Sequence, residues 1–189
     1  MKRMTTEAGV IQADSPPPIT LRPLIQAQAP DLQAVYEAAQ DYFQNMTHQA
    51  TPKGQAEGDL AQAACDDARH MLGITLEDTL IGVVDLRFAD PGPLDARLGL
   101  ILVSLPYRGQ GLASWALRIL EAWLSQATPT EAVVLSVLAQ NRAAQAFFLH
   151  HGYLFTGETT RIMTGVIRSR QLYMRKPLKW HARQLWPAG

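Results

Sequence analysis

The residues with the clearest chemical potential lie mid-chain, in Val103-Ser104-Leu105-Pro106-Tyr107-Arg108-Gly109-Gln110-Gly111-Leu112-Ala113. An apolar strand runs into a turn with two glycines, and a helix follows. That order makes an anion site. The first amides of a helix have no partner within it, the helix dipole adds partial positive charge, and glycine leaves no Cβ between the main chain and an approaching phosphate. Arg108 adds a full charge and a planar fork of donors beside them. A diphosphate suits this combination.

A plain strand-to-helix turn would share the composition, and two glycines alone do not exclude it. A dinucleotide site fits less well. Gly109-x-Gly111-x-x-Ser114 lacks the third glycine, follows several strands instead of the first, and the next strand ends at Leu138 without a carboxylate for a ribose. The phosphate-loop ending Gly-Lys-Ser/Thr is also missing.

A second stretch, Asn141-Arg142-Ala143-Ala144-Gln145-Ala146-Phe147-Phe148 followed by His151-Gly152-Tyr153 and Gly157, lies downstream. Together the two stretches resemble the GNAT superfamily of acyl-CoA-dependent N-acyltransferases. Arg108-x-x-Gly111-x-Ala113 is similar to that family's pyrophosphate motif of Arg or Gln, two residues, Gly, one residue, then Gly or Ala. The Asn141 stretch is similar to its second signature. The resemblance is specific from Ile81 to Gly157 and topological before that.

The resemblance implies acetyl-CoA as co-substrate and an amine acceptor, either a small molecule or a protein amine. It implies that the amides of Gly109, Gly111, Leu112 and Ala113, with the turn at Arg108 and Gln110, hold the pyrophosphate. The backbone of Ile101, Leu102 and Val103 would pair with the pantetheine arm as if it were an added strand, where neighbouring strands splay. Asn141 would reach the same arm, and it also suits the cap of the following helix. Attack of a neutral amine on the thioester builds an oxyanion, so a backbone N–H near Leu102 or Val103 would stabilise it, with no covalent enzyme intermediate. Phe148, counted among the cofactor-binding residues, departs from the pattern. Many members carry a tyrosine acid there, seven residues after the asparagine, and phenylalanine has no proton to give. The alternative is a non-catalytic module of the same fold that binds or senses acyl-CoA.

Other titratable residues are candidates without a clear aim. Asp85 and Arg87 share a strand face that could line an acceptor cleft, making Asp85 a candidate base or amine anchor, although a solvated surface pair has the same pattern. His48 falls in a loop, His150 and His151 at a helix C-terminus, and Tyr36 and Tyr107 could donate protons. Cys65 is the only cysteine, so neither an internal disulfide nor a cysteine-built zinc site follows, and no metal is expected.

Elements that must position these groups alternate along the chain. Strands are expected at 19–24, 71–76, 79–88, 97–103, 132–138, 153–156 and 170–175. Gly99 marks a candidate bulge in the fourth. Helices are expected from Pro30 through Phe43, over 60–72, over 111–127 and after Asn141. Their order points to α/β (α+β) with a mixed sheet, and the resemblance implies a GNAT-type, mostly antiparallel central sheet of six to seven strands flanked by about four helices. Residues 1–17, with Pro16-Pro17-Pro18 at their end, read as a flexible leader, and 18–189 as one domain. Seventeen basic residues balance seventeen acidic ones, which gives no general pull toward nucleic acid or membrane. With no signal-like or spanning run, a cytoplasmic location is expected. A tail with Trp180 and Trp186 is expected to pack either on the domain or on a second copy in a homodimer, and the sequence does not decide between the two.

Overall fold

The computed structural model describes residues 18–47, 51–164 and 167–179. Among them seven strands form one sheet: β1 (Ile19–Pro23), β2 (Arg69–Leu76), β3 (Thr79–Phe88), β4 (Asp95–Val103), β5 (Ala132–Leu138), β6 (Leu154–Thr164) and β7 (Ile167–Pro177). Their order is β1-β2-β3-β4-β5-β7-β6. All neighbours are antiparallel except β4 and β5, which run parallel. This is the mixed, mostly antiparallel sheet expected, with Pro23 ending an edge strand where its missing amide costs least.

Among the described residues five α-helices cover it: α1 (Ala29–Glu37), α2 (Gln40–Thr47), α3 (Gln55–Ala64), α4 (Leu112–Ala127) and α5 (Arg142–His150). The pleat of β3 divides its side chains between two cores. Val84 and Leu86 join Leu117, Leu120 and Leu124 of α4 and Phe148 of α5 on one face, while Val83 joins Leu32 and Tyr36 of α1 and Leu60 of α3 on the other. Each fully buried leucine contributes about 1.5–3 kcal/mol by leaving water, so both helical layers are anchored by burial rather than by propensity.

Three expectations are corrected. The helix from Pro30 through Phe43 is two helices, because α1 ends near Ala38, whose carbonyl accepts the Leu105 amide at 3.0 Å, and the Tyr42 amide turns to Ala39 instead. The break therefore belongs to the tertiary structure. The expected helix over 60–72 is instead α3, opened by Gly54 at φ 74°, and residues 69–72 are strand. There Met71 and Leu72 enter opposite cores, as pairing with β3 requires, and this outweighs the alanine-rich helix propensity before them. β6 and β7 are each 11 residues long, well beyond 153–156 and 170–175, since Thr159 through Thr164 pair with Leu172 through Ile167.

The leader at 1–17, the tryptophans of the tail and His48 lie outside the described residues. Among the described residues no helix is long and apolar enough to cross a membrane.

Candidate functional site

The parallel ladder between β4 and β5 is short. It runs from Asp95↔Ala132 to Leu98↔Leu135 and ends there, although β4 continues to Val103 and β5 to Leu138. Ile101, Leu102 and Val103 therefore stand on β4 beyond the last pairing with β5. A bulge marks the parting. Asp85 of β3 pairs with Leu100 and Leu86 with Leu98, so Gly99 is the extra residue on β4, as its sequence position suggested. On the other side of β4, Gly82 makes the approach to β3 possible: a Cβ there would stand 2.4 Å from the Leu102 carbonyl oxygen and 3.3 Å from the Val103 Cα.

Beyond Val103 the chain is pinned before it turns. Ser104 is buried, and both its amide and its hydroxyl donate to the Ile81 carbonyl, at 2.9 and 3.0 Å. A single 3-10 turn over Leu105–Tyr107 leads to the glycines. Gly109 and Gly111 have φ of 75° and 74°, the left-handed region that side chains disfavour, and a Cβ on either would meet nothing within 4 Å. Gly111 is the N-cap of the 16-residue α4, and no side chain caps that helix start and no acidic residue sits in its first turn. Among the described residues neither a side-chain cap nor a first-turn carboxylate competes for the amides at the start of α4, and the space beside both glycines is open. Such a corner fits a phosphate.

Arg108 is turned inward. Its Nε donates to the Val103 carbonyl at 2.7 Å, and Nη1 donates to Asp41 of α2. That hydrogen bond, ahead of simple charge attraction, holds the Asp41 carboxyl below the usual carboxylate range. Nη2 of Arg108 and Oδ1 of Asp41 are buried without partners among the described residues. With the Ala38–Leu105 hydrogen bond, this pair fastens the α1–α2 junction to the strand end and the glycine turn.

On the opposite wall, Asn141 caps α5, with Oδ1 accepting the Ala144 amide at 3.0 Å. Gln145 is buried and donates from Nε2 to the carbonyls of Leu138 and Ala139, at 3.0 and 2.9 Å, which fixes the end of β5. Phe148 is 7% exposed, its ring edge-on to Phe147 and Tyr153. Tyr153 does not replace the missing acid: it is fully buried, its hydroxyl donates to Glu121 at 2.9 Å, and burial with the Glu121 charge raises it far above the usual tyrosine range.

Asp85 and Arg87 do share a face, but they are not paired with each other. Asp85 receives Arg69 through both oxygens, at 3.1 Å from Nε and 2.8 Å from Nη2, and Arg87 pairs with Asp66. Arg69 also reaches Asp59, which accepts the Tyr36 hydroxyl at 3.0 Å. Burial, then the Asp59 charge, raises Tyr36 well above its usual range. Asp85 is therefore part of a half-buried network that joins α1, α3, β2 and β3. Nε2 of His151 lies 2.9 Å from the Ser114 hydroxyl, and burial, then His150, lowers the imidazole and favours its neutral form. Among the described residues no group of acidic, histidine and cysteine side chains has the arrangement of a metal site.

Sequence reasoning missed Asp41 and Gln145. Asp41 meets Arg108 across 67 positions of chain, so no local pattern announces it. Gln145 stands inside the Asn141 motif, where a polar residue on an otherwise apolar helix face was the available signal.

No curated protein compared with the chain matches it in sequence. Solved structures do match. An acetyltransferase from Thermus thermophilus superposes with TM-score 0.71 at 23% identity, over 84% of this chain and 96% of that one. The microcin C7 self-immunity acetyltransferase, determined with acetyl-CoA and AMP, gives 0.71 at 17% identity over 84% and 92%. The ribosomal-protein-S18-alanine N-acetyltransferase of Escherichia coli gives 0.64 at 17% identity over 89% and 99%. At these identities the likeness is one of fold. The model of the acetyltransferase (GNAT) family matches residues 32–153, which span both the glycine turn and the Asn141 helix, and the chain belongs to that family.

Proposed function

We propose that this protein moves the acetyl group of acetyl-CoA to an amine by direct transfer. The observation that carries the reading is the open, uncapped corner at Gly109 and Gly111, reached from a β4 edge that β5 has left unpaired. The amides of Gly109, Gly111, Leu112 and Ala113 would hold the pyrophosphate, with Gln110 in the same turn. The main chain of Ile101, Leu102 and Val103 would bind the pantetheine arm, and Asn141, whose Nδ2 has no hydrogen bond among the described residues, would meet it from the other wall. The relative solved with acetyl-CoA shares this fold.

The neutral amine attacks the thioester carbon, a C–N bond forms, and the carbonyl oxygen takes up negative charge. A main-chain N–H at Leu102 or Val103 would stabilise that charge where it develops. Collapse breaks the C–S bond, the thiolate takes a proton, and the new amide nitrogen gives one up. Phe148 supplies none. The hydroxyl of Tyr153 and the carboxylate of Asp85 are each engaged by a partner, which leaves positioning and water-borne proton transfer to supply the rate. In this mechanism Arg108 is a brace: it orients the Val103 carbonyl and the turn behind the phosphates. Release of free thiol from acetyl-CoA, followed over a broad amine panel alongside calorimetric CoA binding, tests the reading. Turnover with at least one amine is expected, and CoA binding without thiol release for any amine would refute it.

A further inference from the structure

Arginines on the sheet are for the most part matched to carboxylates. Arg69 meets Asp85 and Asp59, Arg87 meets Asp66, Arg97 meets Asp90, and Arg175 meets Asp95. The far end of the β6–β7 ribbon breaks this rule. Arg161 and Arg170 lie directly opposite each other, and Arg168 is two residues from Arg170 on the same strand face. Like charges in directly opposed positions destabilise a strand pair. Yet none of the three has a carboxylate partner among the described residues, and the Arg170 guanidinium makes a single hydrogen bond there, to the Thr159 hydroxyl at 3.3 Å. The chain carries as many acidic as basic residues, yet among the described residues that line the cluster there is no aspartate or glutamate.

These arginines line a cavity of about 490 Å³. Its wall includes Ser169, which is 8% exposed and accepts a hydrogen bond from Gln140 Nε2 at 3.2 Å, so an ordered polar pair lines it beside the three exposed arginines. Ala139 and Gln140, also in the wall, are the link from β5 to Asn141, and the Ala139 amide is held by the Arg170 carbonyl at 2.8 Å. The cavity therefore adjoins the splayed strand end. Planar guanidinium forks suit carboxylate and phosphate oxygens, and among the described residues no internal carboxylate occupies them.

We propose that this cavity binds an anionic group, a carboxylate or a phosphate, carried by the acceptor amine. The proposal rests on the acetyl-transfer reading and names the acceptor class for it. Matched probes test it: O-phosphoethanolamine against ethanolamine, and β-alanine against its amide, with the wild type and R161Q/R168Q. In the wild type the anionic member of each pair should show the higher kcat/KM by about tenfold, an advantage the double variant should lose while its KM for acetyl-CoA holds. Equal rates within each pair in the wild type would overturn the proposal. So would a loss confined to acetyl-CoA relative to its 3′-dephospho form, which would give the arginines to the co-substrate's phosphate. The variant's melting temperature should hold or rise, because like charges are removed, and a fall would make the arginines structural and overturn the proposal. Thermal stabilisation by O-phosphoethanolamine, present in the wild type and absent in the variant, reads the cavity without turnover. CoA calorimetry reads the 109–113 corner separately, so the failure of one reading is distinguishable from the failure of the other.

Discussion

Replacement of Gly111 by valine separates backbone strain from ligand contact, because the fold contains a matched control. Gly111 and Gly54 are both helix N-caps at φ 74°, with ψ of 1° and 9°, and an added Cβ would meet nothing within 4 Å at either. Forcing a side chain into that region costs roughly 1–2 kcal/mol at each site. For a chain of this size that lowers the melting temperature by about 2–8 °C and leaves the native state populated. The Gly111 substituent alone projects into the space proposed for the pyrophosphate. Losing one charge-assisted amide contact of about 1.5–3 kcal/mol raises the CoA Kd about ten- to a hundredfold. Calorimetric CoA titration with Gly54→Val and Gly111→Val, paired with thermal melts, should show similar melting losses and a large difference in Kd. If the two variants bind CoA within about twofold of each other, the phosphate lies elsewhere and the reasoning fails.

Other perturbations follow from the same geometry. Gly82→Ala sets a Cβ against the Leu102 carbonyl oxygen, so β4 must shift; a stability loss of about 1–3 kcal/mol in urea melts and a raised KM for acetyl-CoA are expected. Asp85→Asn weakens the two-pronged grip on Arg69, where both side chains are about one-fifth exposed, and should cost about 1–3 kcal/mol while kcat changes little; a large fall in kcat at unchanged stability would make Asp85 the base. Asp90 is held below its usual 3.8 first by the hydrogen bond from Arg97, so its stabilising effect is present above 3.8 and fades as pH falls through its lower folded value. The stability gap between the wild type and Asp90→Asn, about 1 kcal/mol, should therefore stay flat from neutral pH down to about 3.8, shrink as the pH falls toward the lower folded value, and be closed below it in pH-dependent urea melts.

What the chain reveals locally, its sequence shows well. Gly109, Gly111 and Gly99 are legible because each answers a backbone demand, a left-handed φ or an extra residue in a strand, that other side chains meet poorly. Asn141 is legible as a cap because its short side-chain carbonyl reaches the Ala144 amide three residues on. The break at Ala38 is not, because the hydrogen bond that ends α1 comes from Leu105, far along the chain. Nor is the arginine cluster: Arg161 and Arg170 are nine positions apart and become neighbours only when the ribbon pairs them.

This division has a physical basis and bears on how the site works. A phosphate corner made of amides depends on the turn of a short segment, so it is written in a few adjacent residues. An acceptor surface depends on side chains from distant elements, and its chemistry appears only after the sheet has assembled. Here the phosphate corner is also tied to a distant element, the α1–α2 junction. Asp41 holds Arg108, Ala38 holds Leu105, and Arg108 holds the Val103 carbonyl, so the α1–α2 junction cannot move without pulling on the end of β4 and the turn that follows. The half-exposed Asp41–Arg108 pair is worth little in stability, under about 1 kcal/mol by general experience with such pairs. Its consequence is geometric: it sets the angle at which the helices of one face meet the strand edge on which acetyl transfer is proposed to occur.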